Sequence, residues 1–146
     1  MKAIYFNTGG TTEVLQYGAV ESLGQCGDKQ VLIRIKAAGI NPIDCKIRTA
    51  PQRFPVTFPV IPGCDGAGIV ESVGKRVKNF QPGDEVYFSQ PGFNNRQGTY
   101  AEYVLVDASL LALKPAQPCS RALVASNDVI RSGRKDFMDQ VRKWWM

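Results

Sequence analysis

Two pairs of residues hold most of the chemical capacity of this chain: Asn41 with Asp44, and the adjacent Cys64 and Asp65. Asn41-Pro42-Ile43-Asp44 has the pattern of a helix start. Asn41 would be the cap, Pro42 the first helical residue, and Asp44 an acid in the positive first turn. Cys64 reads either as a small buried filler or as a reactive thiol. Cys45, Cys64 and Asp65 carry metal-donor atoms. The chain has no histidine, however, which removes the commonest metal ligand and the commonest general base. No metal site is expected. Tyr87 and Tyr100 carry phenols able to donate a proton, or serve as strand packing residues. Gly63, Gly66, Gly68 and Gly74 lack the GxGxxG spacing that opens a phosphate-binding helix, so they read as backbone geometry.

The elements that must position these groups are mostly strands. Lys2–Phe6 and Val14–Val20 are expected strands flanking a Gly9-Gly10 turn. Gln30–Ala38 alternates Val31, Ile33 and Ile35 against Leu32, Arg34 and Lys36, the period of a strand with one wetter face. A short helix follows Asn41 and runs over 43–48. Pro51, Pro55, Pro59 and Pro62 make 51–62 an irregular loop. Asp65–Val73 is a glycine-rich strand, where glycines imply a bend or a close backbone approach. Gln81-Pro82-Gly83-Asp84 is a type II turn feeding a strand over 85–89. Thr99–Val106 and Leu110–Leu113 complete the strands. Strands at close intervals, Gly/Pro turns and one short helix predict a mostly β (α+β) fold, a barrel or partly opened barrel.

Bulk properties narrow the classes. A chain of 146 residues suits one domain with a real core. No apolar run approaches the ~20 residues needed to span a bilayer, and the N-terminus lacks the long apolar stretch of a signal peptide. A cytoplasmic chain with reduced Cys26, Cys45, Cys64 and Cys119 is therefore expected. The net charge of +5 is uneven, with +2 over 1–116 and +3 over 117–146, and only Arg142-Lys143-Trp144-Trp145 comes near a basic–aromatic cluster, so nucleic acid is not an expected partner.

The stretch GCDGAGIVESVG at 63–74, with QPGDEV at 81–86, resembles the medium-chain dehydrogenase/reductase superfamily, in its N-terminal GroES-like catalytic domain. MKAIYF, VLIRIKAAGINPID, GTYAEYVLV and LKPA support the resemblance in the same order over 1–116. The GINPID segment is most similar to the zinc-free quinone oxidoreductase branch. The resemblance implies a GroES-like, partly open β-barrel and hydride transfer from NADPH to a quinone or another conjugated carbonyl. It implies that Asn41 and Asp44 face the nicotinamide ribose, whose hydroxyls their amide and carboxylate can bond. Cys64 and Asp65 are implied to line the same cleft. The zinc branch has a Cys ligand where this chain has Asn41, a hydroxyl residue where it has Ile43, and GHE where it has Gly63-Cys64-Asp65. Asn41 is a poor zinc ligand, so no zinc is expected.

Composition shifts after Pro115: 13 of the 14 glycines lie within 1–116, leaving Gly133 in the remainder. Residues 117–146 form an expected helical tail of unrecognised origin. Over 135–145, Phe137, Val141, Trp144 and Trp145 share one helical face. After LKPA the family continues into a nucleotide-binding domain, and no GxGxxG occurs here. Two readings of the tail stand: incidental sequence on a relative shortened by a frameshift or early stop, or a stripe that covers the cleft or docks a second copy. For function, the chain reads as the catalytic-domain portion of a quinone oxidoreductase-like enzyme, inactive alone because most cofactor contacts belong to the missing phosphate loop. The alternative is a non-catalytic binding or dimerisation module, with a homodimer through the 135–145 helix.

Overall fold

The computed structural model describes residues 1–90 and 97–115. The expected tail over 117–146, its helix and any dimer contact through it lie outside the described residues. Within them, strands dominate: β1 (Lys2–Tyr5), β2 (Gln16–Ala19), β3 (Gln30–Ala38), β4 (Asp65–Val73), β5 (Glu85–Ser89), β6 (Tyr103–Asp107) and β7 (Leu111–Leu113). The single α-helix among the described residues is α1 (Pro42–Thr49), and short 3-10 turns cover Thr12–Val14, Pro51–Arg53 and Ala108–Leu110.

The period-two reading of β3 holds. Val31 and Ile33 are fully buried while Arg34 is exposed. Val86 and Phe88 on β5 and Val104 and Val106 on β6 repeat the alternation. With Val70 of β4 these side chains make one core cluster, edged by Ile35, Val73, Phe80 and Leu111. Their burial is the main favourable term holding the sheet, at about 1.5–3 kcal/mol for each large apolar side chain. The sheet is antiparallel throughout and ordered β6-β3-β4-β5-β7, and β1 and β2 form a separate two-stranded sheet. No closed barrel results. Isolated bridges pair Ala3 with Ala101 and Phe6 with Val60 at the meeting of the two sheets.

The glycine-rich β4 is a close-approach strand, as expected. A Cβ on Gly68 would run into the Arg34 carbonyl across the β3–β4 ladder. The Gln81–Asp84 turn closes through Asp84 N–H to the Gln81 carbonyl at 3.1 Å, with Gly83 at φ 95° as type II geometry requires. Four expected strands are shorter than the sequence suggests, β1 and β7 by one residue each and the other two by more. Thr12–Val14 turns as a 3-10 segment before β2 begins. Thr99–Glu102 is not part of β6, because this stretch leaves β3 and crosses to β1: the Ile4 amide donates to the Tyr100 carbonyl at 2.8 Å and the Glu102 amide to the Lys2 carbonyl at 3.1 Å.

A second core cluster of Phe6, Ile47 and Val60 docks α1, with Ile43, Val14 and Phe54 packed against it. Ile43 and Ile47 lie one turn apart on the same face, so α1 is held by its apolar stripe and presents its N-terminus elsewhere. Gly10 and Arg48 add a reciprocal latch. The Gly10 amide donates to the Arg48 carbonyl at 3.0 Å, and the Arg48 guanidinium donates to the Gly10 carbonyl at 3.0 Å. Among the described residues no helix is long and apolar enough to cross a membrane.

Candidate functional site

Asn41 caps α1, and Pro42 opens it, as the sequence predicts. The Asp44 carboxylate Oδ2 accepts from the Asn41 main-chain N–H at 2.8 Å, and the Asp44 N–H donates back to the Asn41 carbonyl at 3.0 Å. Such reciprocal bonding satisfies amides that a helix N-terminus otherwise leaves unpaired. Asp44 does much more than complement the dipole. Its side chain turns inward, and the residue is only 5% exposed.

Around that buried carboxylate three further groups converge. Tyr100 donates its phenolic proton to Oδ2 at 3.2 Å. The Gly63 amide donates to Oδ1 at 3.2 Å, and the Cys64 thiol donates to Oδ1 at 3.6 Å. A carboxylate has roughly four acceptor positions. Four donors therefore engage the capacity of Asp44, and it holds α1, the 63–64 loop and Tyr100 together.

The loop is fixed from its other side by main-chain bonds. The Gly98 amide donates to the Ile61 carbonyl at 2.9 Å, Tyr100 to Pro62 at 3.0 Å, Thr99 to Gly63 at 3.2 Å and Gln90 to Cys64 at 2.7 Å. Gly63 adopts φ +103°, and a Cβ there would collide with the Thr99 hydroxyl oxygen and close on Tyr100 and the Thr99 amide. The turn that aims the Gly63 amide at Asp44 is thus open to glycine alone.

Asp65, the first residue of β4, is also buried. Its Oδ2 accepts from the Asn41 side-chain Nδ2 at 2.8 Å, while its carbonyl accepts from the Gly39 amide at 3.0 Å. The four residues singled out in the sequence, Asn41, Asp44, Cys64 and Asp65, therefore form one connected cluster. Asn41 is its part-exposed member, and Asp65 sets the direction of its amide. Cys45 is exposed on α1, whereas Cys64 is buried against Asp44. Among the described residues no three His, Cys, Asp or Glu side chains are arranged to hold a metal ion.

Sequence reasoning treats Tyr87 and Tyr100 alike, and the structure separates them. Tyr87 lies within β5, opposite Ala67 and Ala112. Tyr100 sits on the crossing stretch and completes the Asp44 cluster. Thr99 escapes that reasoning altogether. It is 2% exposed, and its hydroxyl oxygen has no hydrogen-bond partner among the described residues. Neither residue carries a local signal, because each owes its place to a chain crossing.

Tyr100 titrates late. Burial disfavours its phenolate, and the Asp44 charge and the hydrogen bond to it push further, so its pKa is raised well above the ordinary tyrosine value. A raised folded-state pKa means that the folded chain holds this proton after the unfolded chain releases it. The contribution of Tyr100 to stability is therefore complete below about pH 10 and is lost as pH rises above that value. Ultraviolet titration of the phenols should show one late-ionising tyrosine, absent in Tyr100→Phe. A late component that survives the substitution would assign it to another tyrosine.

The model of the alcohol dehydrogenase GroES-like domain matches residues 27–116. The chain belongs to that family, as the N-terminal part of a medium-chain dehydrogenase/reductase. Among curated relatives, the chloroplastic NADPH-dependent alkenal/one oxidoreductase of Arabidopsis thaliana is 38% identical over 122 residues, covering 79% of this chain and 31% of that protein. Quinone oxidoreductase of Sus scrofa is 36% identical over 115 residues, covering 79% of this chain and 34% of that protein. Among solved structures, Escherichia coli quinone oxidoreductase complexed with NADPH superposes with a TM-score of 0.79 at 30% identity, over 92% of this chain and 41% of that one. The chain thus spans about a third of the length of these curated relatives.

Proposed function

We propose that these residues form the catalytic-domain wall of an NADPH-dependent reductase of quinones or conjugated carbonyls, working in the cytoplasm and without zinc. The observation that carries the reading is the Asn41–Asp65 pair held at the start of α1 by Asp44. It sets a part-exposed carboxamide in a fixed direction, with the second Nδ2 proton of Asn41 beyond the Asp65 contact. That donor set fits a ribose hydroxyl. Asn41 would make the direct contact. Asp44, already engaged by four internal donors, would act as a positioning residue behind it. NADPH, when bound, supplies the hydride; this part of the chain orients the sugar and shields the acceptor from water. The zinc-free reading is supported by where the donor atoms go: the Cys64 thiol is directed at Asp44 and the Asp65 carboxylate at Asn41. The kind of acceptor is suggested by relatives named for quinones and alkenals.

The test has two arms. The chain alone is expected to show no NADPH oxidation with benzoquinone; saturable activity proportional to protein would overturn that expectation. Fused at Pro115 to the part of the Sus scrofa quinone oxidoreductase that it does not match, it should oxidise NADPH. Asn41→Ala in that fusion should weaken NADPH binding about tenfold, the size of one lost hydrogen bond to a bound hydroxyl. A folded fusion that binds NADPH equally well with and without this substitution would sink the assigned role of Asn41.

A further inference from the structure

At the pole of the five-stranded sheet away from the Asp44 cluster lies a cavity of about 320 Å³. Asp65 opens β4 at the cluster and Val73 ends it near the cavity, so about 26 Å of strand separates the two. Three connections meet at this pole: the turn before β3, the stretch after β4 and the 3-10 turn after β6. Main-chain bonds stitch them together. The Arg76 amide donates to the Asp28 carbonyl at 2.8 Å, the Gly74 amide to the Gln30 carbonyl at 2.8 Å and the Ala108 amide to the Lys29 carbonyl at 3.0 Å. The walls of the cavity are therefore set before anything enters it, as is usual for small-molecule sites.

Two kinds of surface line it. Val77, Phe80 and Ala108 also pack against the buried core of the sheet, which makes the floor apolar and fixed. Lys29, Arg76 and Lys78 bring three positive charges against the single carboxylate of Asp107. That carboxylate is engaged by its own chain: Oδ1 accepts from the Ser109 amide at 2.9 Å and from the Ser109 hydroxyl at 2.6 Å. Arg76 has a loose, exposed pair with Asp28 at 3.6 Å, and among the described residues Lys29 and Lys78 have no ion pair. An exposed pair of this kind is weak, so an incoming anion can draw Arg76 away from it.

We infer that this cavity binds a small amphiphilic anion, with an oxyanion head on a short apolar body. Lys29, Arg76 and Lys78 hold the head, and the Arg76 fork suits a carboxylate or a phosphate. The body lies on Val77, Phe80 and Ala108. A bare anion would meet the charges and leave the floor wet. A neutral apolar molecule would cover the floor and leave the charges unanswered. The volume is at the small end for ligand sites, which limits the body to a single ring or a short chain. The site shares no residue with the Asp44 cluster, and the inference does not depend on the proposed function.

Octanoate and phenyl phosphate are the probes, titrated into the isotope-labelled full chain, with inorganic phosphate and octanol as head and body alone. At least one amphiphilic probe should shift the amide signals of residues 76–80 and 107–109, and bind at least about tenfold more tightly than either half by itself. The tighter of octanoate and phenyl phosphate identifies the head as carboxylate or phosphate. Lys29→Gln combined with Lys78→Gln, both at exposed positions, should weaken that probe about tenfold, and added salt should weaken it in the parent chain. No shift at those residues with either amphiphilic probe, a half that binds as tightly as the whole, or binding indifferent to the double substitution would overturn the inference.

Discussion

Asp44→Ala should lower the stability of the chain by about 3 kcal/mol, seen as an earlier urea midpoint and a melting temperature lower by about 10 °C or more. The magnitude follows from what is stranded. The Asn41 and Gly63 amides and the Tyr100 hydroxyl lose their acceptor at a site where Asp44 is 5% exposed and water has little access. Leaving buried donors unpaired costs more than a hydrogen bond gains, about 1–3 kcal/mol for each group. The loss stays below the sum because the cavity can admit water and the helix start can relax. Asp44→Asn tests the charge separately from the shape. One backbone amide points at each carboxylate oxygen, so either orientation of an asparagine amide sets an NH2 against an N–H. This variant should still lose about 2 kcal/mol. A midpoint within experimental error of the parent for Asp44→Asn would mean that the cluster is not what holds α1 to the loop.

Gly63→Ala should be as damaging, for a different reason. The backbone there lies at φ +103°, which an L side chain rarely adopts, and the new methyl would overlap the Thr99 hydroxyl. Strain of about 1–3 kcal/mol from the dihedral adds to the cost of displacing a fully packed neighbour. Gly83→Ala is the control. It shares a positive φ, +95°, but a Cβ there meets open space, so only the dihedral term applies. Urea unfolding of the pair should place Gly63→Ala at least about 1.5 kcal/mol below Gly83→Ala. Equal losses would show that the loop yields without disturbing Tyr100.

Much of this architecture is legible in the sequence, and the boundaries show why. The bounds of β3, β4 and β5 coincide with the segments read from alternation and from the Pro82-Gly83 turn, since one buried face and a fixed turn leave the register little freedom. The cap at Asn41 is equally local. Thr99–Glu102 reads as one strand with β6 because its alternation continues that of β6, although its hydrogen-bond partner changes from β3 to β1. Alternation reports that a residue lies in extended chain, not which strand lies beside it. The joining of Asp44 to Tyr100 is hidden for the same reason. The two residues are 56 positions apart, and neither has a local pattern that points to the other. The family resemblance supplies the candidate set of Asn41, Asp44, Cys64 and Asp65. Only the fold shows that one of the four serves as a hub and another as its outward-facing member.

The Gly10–Arg48 latch carries this reasoning to the chain's beginning. Because α1 is tied at its far end to the opening turn, and β1 is tied to Tyr100 through the Ile4 amide, the first ten residues brace both sides of the Asp44 cluster. A protease cut within Asn7–Thr11 is therefore expected to part these two ties and loosen the surroundings of Tyr100, while the five-stranded sheet keeps its own ladders.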